Sequence, residues 1–264
     1  GSKVWYEGYP EPQFVWQSTS ASDDFEAKLS LVPLAFGTMK AAAYAMLFAV
    51  PIAVAGAIFA GYFMSPGMRK VVKPTVEIMA ALPTVILGFL AGLWLAPMIE
   101  QHLPGVFLML LALPLSMLVA AFGWHLLPAR IKERVPEGWQ ALLLVPVLLL
   151  VSWICLSSSP LLEGWLFGGN ARGYITNVLG MRFDQRNSLV VGIAMGFAVI
   201  PTIFSIAEDA VFSVPKHLTQ GSLALGATPW QTLSRVVILT ASPGIFSAVM
   251  MGLGRAVGET MIVL

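Results

Sequence analysis

Long apolar runs separated by short polar connections dominate this chain. The runs lie near residues 34–63, 75–98, 104–127, 139–157, 188–207 and 238–264. About 20 apolar residues suffice for a helix to cross a hydrocarbon core of roughly 30 Å. Lipid offers no partner to backbone N–H and C=O groups, so a spanning run must pair its own, as a helix does. The pattern therefore predicts an all-α fold, a polytopic membrane helix bundle. Pro51, Pro83, Pro114, Pro146, Pro201 and Pro243 stand inside the runs. Proline removes a helical hydrogen bond and bends the axis, so their number predicts kinked helices around a cavity. Three runs carry glycines four apart, Gly88/Gly92, Gly192/Gly196 and Gly254/Gly258. Such pairs let helix backbones approach closely, and all three are read as packing seams.

Composition agrees with a membrane setting. The 264 residues are 57% hydrophobic and 11% charged, where a soluble domain carries about 25% charged residues. The net charge of +1 gives no ground for a nucleic-acid partner, and the placement of the charges matters more. The connection 64–74 carries Arg69, Lys70 and Lys73, 128–138 carries Arg130, Lys132 and Arg134, and 208–237 carries Lys216 and Arg235. These alternate with 99–103, which has no Lys or Arg. Cytoplasmic loops are the Lys/Arg-rich ones, so the first three face the cytoplasm. Residues 1–33 and the loop 158–187 then face outward. That outer loop holds Arg172, Arg182 and Arg186, which either escape the bias in a long loop or meet something anionic outside.

The first 33 residues are polar and aromatic, with Trp5, Tyr6, Tyr9, Phe14 and Trp16, and form a separate extracytoplasmic segment. They lack the apolar core of a signal peptide. The chain stops inside an apolar run at Leu264, which predicts a fragment of a longer protein. The single Cys155 allows no intrachain disulfide. His102, His125 and His217 are too scattered for ligand spacing, so no metal site is expected.

The connection from Ser213 to Val237 is longer than a turn. Pro215 suits the start of a short helix, and Gly226 suits its left-handed end. Thr228 then caps a second helix, with Pro229 at its first position and Gln231 three residues after the cap, a capping box. Leu218, Leu223 and Leu225 give the first helix an apolar surface that a partner could cover.

This loop resembles the cytoplasmic loop of ABC importer membrane subunits, E-A-A-x3-G-x9-I-x-L-P. The aligned stretch is Gln220-Gly221-Ser222-x3-Gly226-x9-Val236-x-Ile238-Leu239. The glycine and its spacing match, while Gln220 replaces the acid and Leu239 the proline. Leu225-Gly226-Ala227-Thr228, Trp230, Thr232 and the stretch Gly252 to Met261 (GLGRAVGETM) are similar to permeases of the phosphate-specific transport (Pst) system, most of all the C-type. So are residues 36–59 and 77–89. The resemblance implies a type I-like ABC permease domain over 34–264, with an ATPase-coupling loop near 208–237 that includes Gln220, Gly221, Ser222, Gly226, Ala227 and Thr228. Residues 104–157 depart from the family pattern as an inserted helical hairpin. A pair of crossings leaves the sidedness of everything downstream unchanged.

Two charges interrupt the last apolar run, Arg255 and Glu259. If that helix enters the membrane near residue 243, Arg255 lies about twelve residues, or ~18 Å, deep. A charge there costs about 2.5–3.5 kcal/mol on insertion scales. Residues four apart share a helix face, so mutual neutralisation is one reading, although the acid-first order would pair better. An oxyanion site is the other, since a guanidinium offers a planar fork of donors that matches phosphate. By resemblance, Arg255 and Glu259 match charged positions of the family's anion path, with Glu259 holding Arg255. Thr260 adds a hydroxyl.

No G-x-x-x-x-G-K-[ST] occurs, so the chain has no phosphate-cradling loop of that kind. By resemblance the expected function is the multi-pass inner-membrane permease subunit of an ATP-driven importer that carries inorganic phosphate into the cytoplasm, not itself an enzyme and without a cofactor. By resemblance its partners would be membrane lipid, a second permease subunit, an ABC ATPase dimer and a periplasmic phosphate-binding protein. Sulfate or molybdate as the carried anion, and a proton-driven secondary transporter with Glu259 as carrier, stand as alternatives. An intramembrane enzyme does not, because no nucleophile and base share a helical spacing.

Overall fold

The computed structural model describes residues 3, 10–12, 31–128, 135, 143–166, 168 and 188–259. Every secondary-structure element among them is helical. Helix α1, Val32–Ile58, continues through a wide π-type turn at Phe59–Phe63. Helix α2 is Pro66–Ala80. Helix α3, Thr84–Leu90, runs through a second π turn at Ala91–Leu95 into α4, Ala96–Gln101. Helix α5, Leu103–Leu126, pairs with α6, Leu144–Ser157, and α7, Ser159–Leu166. Helix α8 is Ser188–Phe212 and α9 is Lys216–Ala224. Helix α10, Pro229–Thr232, passes through a third π turn, Leu233–Val237, into α11, Ile238–Gly258.

Among the described residues, five stretches are long and apolar enough to cross a membrane: Ala35–Phe63, Thr84–Gln101, Leu103–Trp124, Val190–Phe212 and Pro229–Gly258. The pair α6 and α7, bent by 42°, makes a sixth if counted as one. The chain is a multi-pass, all-α membrane protein. One apolar run divides differently from its expectation. Residues 75–98 belong to two helices, because α2 stops at Ala80 and Pro83 starts α3 in extended backbone. Most of α2 is polar enough to stay outside the hydrocarbon.

The centre of the bundle is α1 against α8, with α11 packed on α8 and also touching α1. Helix α1 buries an alanine every fourth residue, Ala41, Ala45, Ala49, Ala53 and Ala57. This stripe gives α1 a flat face, against which the larger Met195, Val199, Ile203 and Phe204 of α8 pack. In lipid such packing rests on close contact rather than on removing surface from water. Of the three glycine pairs, Gly192/Gly196 forms a seam. A Cβ on Gly192 would lie 2.6 Å from Tyr44 Cβ, and one on Gly196 would lie 3.3 Å from Ala45 O. At Gly92, Gly254 and Gly258 a Cβ would meet nothing within 4 Å, so Gly254/Gly258 is not a seam within this chain and Gly92 makes no close approach.

The α5–α7 unit is held by a local contact. Gly105 passes so close to α6 and α7 that a Cβ would lie 2.5 Å from Cys155 O. Its N–H donates to the buried Ser159 hydroxyl at 3.2 Å. The rest of α5 is largely bare: Leu111, Leu115, Leu118 and Phe122 are exposed.

Candidate functional site

Arg255 stands in the last turn of α11. Ala248, Gly252 and Ala256 are buried on that helix, and Gly252 lies directly against Ile203 and Val199 of α8. That contact fixes the flank on which Arg255 emerges. The side chain is half-buried and donates from Nη1 to Thr202 Oγ1 at 2.6 Å. Thr202 is near the middle of the 25-residue α8. Further toward the start of α11, Gly244 touches Ala210, near the end of α8. Eleven residues from Gly244 to Arg255 correspond to about 16 Å of helix rise. The guanidinium therefore sits level with the middle of α8, with a hydroxyl as its neutral partner.

Glu259 is not that partner. Helix α11 ends at Gly258, and Glu259 has extended backbone, φ −82° and ψ 91°. The shared helix face expected from a four-residue spacing is lost one residue too early. No ion pair joins Glu259 to Arg255 among the described residues. Thr260 lies outside the described residues.

The loop between α8 and α11 is built by two local motifs. Gly226 has φ +85°. Its N–H bonds Leu223 O at 3.0 Å, and the Ala227 N–H bonds Ser222 O at 3.2 Å. Together these form the paired closure that ends a helix on a left-handed glycine. Two residues on, the Thr228 hydroxyl accepts from the Gln231 N–H at 3.2 Å, and Gln231 Oε1 accepts from the Thr228 N–H at 2.9 Å. This is the capping box expected from the sequence. Pro215 is the residue before α9 rather than its first. Gln220, Gly221, Gly226 and Thr228 are all exposed. So are Leu223, Trp230 and especially Leu225, at 91%. The Ser222 and Thr232 hydroxyls lie 2.9 Å apart and tie α9 to α10. Tyr62 Oη, at the end of α1, donates to Pro229 O at 3.4 Å.

A third group was not foreseen. Glu208, near the end of α8, is fully buried. Its Oε1 takes Arg69 Nε at 2.5 Å and its Oε2 lies 3.0 Å from Lys73 Nζ. Lys73 also pairs with Asp209, and Arg69 stacks on Phe212 with its Cζ 3.4 Å from the ring centroid. Burial works to lower the Lys73 ammonium pKa. Hydrogen bonds to Asp209 and Glu208 outweigh it, so Lys73 titrates above the ordinary lysine range. The cluster clamps α2 to the last turns of α8, just before the connection to α9. Glu77, also on α2, is exposed. Arg172, Arg182 and Arg186 of the outer loop lie outside the described residues.

Known proteins are similar to this chain. It is 26% identical over 241 residues, 91% of the chain, to the probable ABC transporter permease protein YqgH of Bacillus subtilis, covering 53% of that protein. It is 27% identical over 232 residues, 88% of the chain, to the phosphate transport system permease protein PstC 1 of Mycobacterium tuberculosis, covering 52%. It is 28% identical over 234 residues, 89% of the chain, to the PstC protein of Mesorhizobium japonicum, covering 54%. The chain is a relative of the C-type phosphate permeases. It spans about half the length of the curated relatives it matches. No family model and no solved structure matches it.

For a C-type permease relative, the sequence reading missed Thr202 and Glu208. Thr202 is one hydroxyl in an apolar run, with nothing local to link it to a residue 53 positions away. Glu208 did carry a signal: it begins an acidic pair at the end of a membrane helix, opposite a cationic loop.

Proposed function

We propose that the chain is the membrane permease subunit of an ATP-driven importer that carries inorganic phosphate into the cytoplasm. The observation that carries this reading is Arg255, a permanent cation level with the middle of α8, held by a neutral hydroxyl rather than by a carboxylate. A guanidinium bonded to a threonine keeps its full charge and most of its five donors for an anion. A conduit must bind its cargo weakly enough to release it, and Glu259, just past the helix end and not paired with Arg255 here, would line the path and compete with phosphate only by turning back toward the guanidinium. Thr260 would add a further hydroxyl to the path.

In this reading residues 34–264 form the translocation domain, 1–33 lie outside, and 104–157 are an added hairpin. The loop near 208–237 docks on a separate ABC ATPase dimer through Gln220, Gly221, Ser222, Gly226, Ala227 and Thr228. The exposed Leu223, Leu225 and Trp230 supply the apolar contact. A second permease subunit completes the path, a periplasmic phosphate-binding protein delivers the anion, and the assembly sits in the cell inner membrane.

The test is uptake of radiolabelled phosphate by cells that carry the complete transporter gene set, with and without this gene. Uptake that needs the gene, is competed by phosphate and is not competed by sulfate or molybdate is expected. Uptake that persists without the gene contradicts the proposal.

A further inference from the structure

The cytoplasmic end of the bundle holds a cleft of about 570 Å³ between the end of α1, α2 and the end of α8. Four cationic side chains line it, Arg69, Lys70, Lys73 and Lys216, with one acid, Glu77. Lys73 is committed to Glu208 and Asp209. Arg69 gives one of a guanidinium's five donors to Glu208. That bond and the stack on Phe212 hold the rest of the group in place at the cleft wall. Lys70 and Lys216 have no carboxylate within ion-pair distance among the described residues. The cleft thus presents a fixed guanidinium and two uncommitted ammonium groups, against a single acid.

Its depth also points to a ligand. Helix α2 exposes Val71 and Ile78, at 65% and 69%, as well as its cations. A helix that shows apolar and cationic side chains together suits the headgroup layer. By the Lys and Arg distribution this end faces the cytoplasm, where anionic lipids concentrate and attract basic clusters.

We propose that this cleft is a binding site for a phosphate group, presented by an anionic lipid headgroup or by inorganic phosphate. Arg69 supplies a directional contact, and Lys70 and Lys216 close on the anion from α2 and α9. The site stands apart from Arg255, and its failure would leave the path through Arg255 untouched.

The full chain in lipid nanodiscs tests it by lysine acylation, read residue by residue by mass spectrometry. Three samples are compared: phosphatidylcholine discs alone, the same discs with millimolar inorganic phosphate, and phosphatidylglycerol discs. Lys40, at the opposite end of α1, is the control for general effects of surface charge. Acylation of Lys70 and Lys216 should slow about fivefold relative to Lys40, the protection expected from a contact of this strength. Protection by free phosphate alone assigns the site to the inorganic anion. Protection in phosphatidylglycerol alone assigns it to a headgroup, and protection in both assigns it to the phosphate group in either form. The double variant Lys70→Gln/Lys216→Gln, at two exposed positions, should also retain less phosphatidylglycerol per protein if the headgroup is bound. Equal labelling in all three samples, or slowing equal to that of Lys40, overturns the proposal.

Discussion

Arg255 on α11 donates to the Thr202 hydroxyl on α8 at 2.6 Å, so the charge within the last span is anchored by a neutral group on a different helix. The pairing has two consequences. The guanidinium is oriented without being neutralised, and its position depends on how α8 and α11 pack. An ion pair with Glu259 would have oriented it by cancelling it.

Thr202→Val should lower phosphate uptake, whereas Thr202→Ser, which keeps the hydroxyl, should not. A hydrogen bond to a charged group contributes about 1.5–3 kcal/mol, so the valine variant should lose roughly tenfold or more in initial rate. Uptake is to be measured at matched membrane levels. Equal rates for the two variants would show that the hydroxyl has no part in positioning Arg255.

Glu208→Gln should destabilise the protein by about 3 kcal/mol, near the lower end for removing one member of a buried pair. Arg69 and Lys73 keep some water contact, at 19% and 24% exposure, which softens the loss. Asp209→Asn, at a 64% exposed position, should cost less than about 1 kcal/mol. Thermal unfolding in detergent compares the two, and similar values would contradict a buried clamp.

The same clamp sets a pH dependence. Lys73 has a raised folded-state pKa, so the folded state favours its protonated form. The stability it adds is complete below the ordinary lysine value of about 10.4 and is lost as pH rises through the higher folded value. The difference in unfolding temperature between the parent chain and Lys73→Met should be flat through neutral pH and shrink only in alkali. A difference that fades at acid pH would contradict this sign.

Gly226→Val should reduce recovery of the partner ATPase in a pull-down. An L residue in the left-handed region costs roughly 1–2 kcal/mol, and a branched one fits worse, so the helix end that presents Leu225 would rearrange. Gly226→Asn, which tolerates that region, should keep recovery. Unchanged recovery and coupled turnover with valine would contradict the docking role.

Much of this architecture was legible because its causes are local. Run length and hydropathy located the spans, since a bilayer imposes a minimum apolar length. The capping box at Thr228 and Gln231 and the left-handed Gly226 were legible because each involves residues a few positions apart. The alanine stripe from Ala41 to Ala57 was visible in the text of the sequence, but glycine pairs drew the packing argument instead, and of these Gly192/Gly196 is a seam while Gly254/Gly258 is not. The division of 75–98 escaped because Pro83 could have kinked a single helix instead of separating two. The partners of Arg255 and Glu208 lie 53 and 139 residues away. No pattern along one chain states which helix faces cross, so a four-residue neighbour stood in for the true one.

The most direct test of the central claim is phosphate uptake by Arg255→Leu, beside measurements of its membrane level and its association with the ATPase. The account predicts that uptake is abolished while insertion and association are unchanged. Normal uptake by this variant would contradict it.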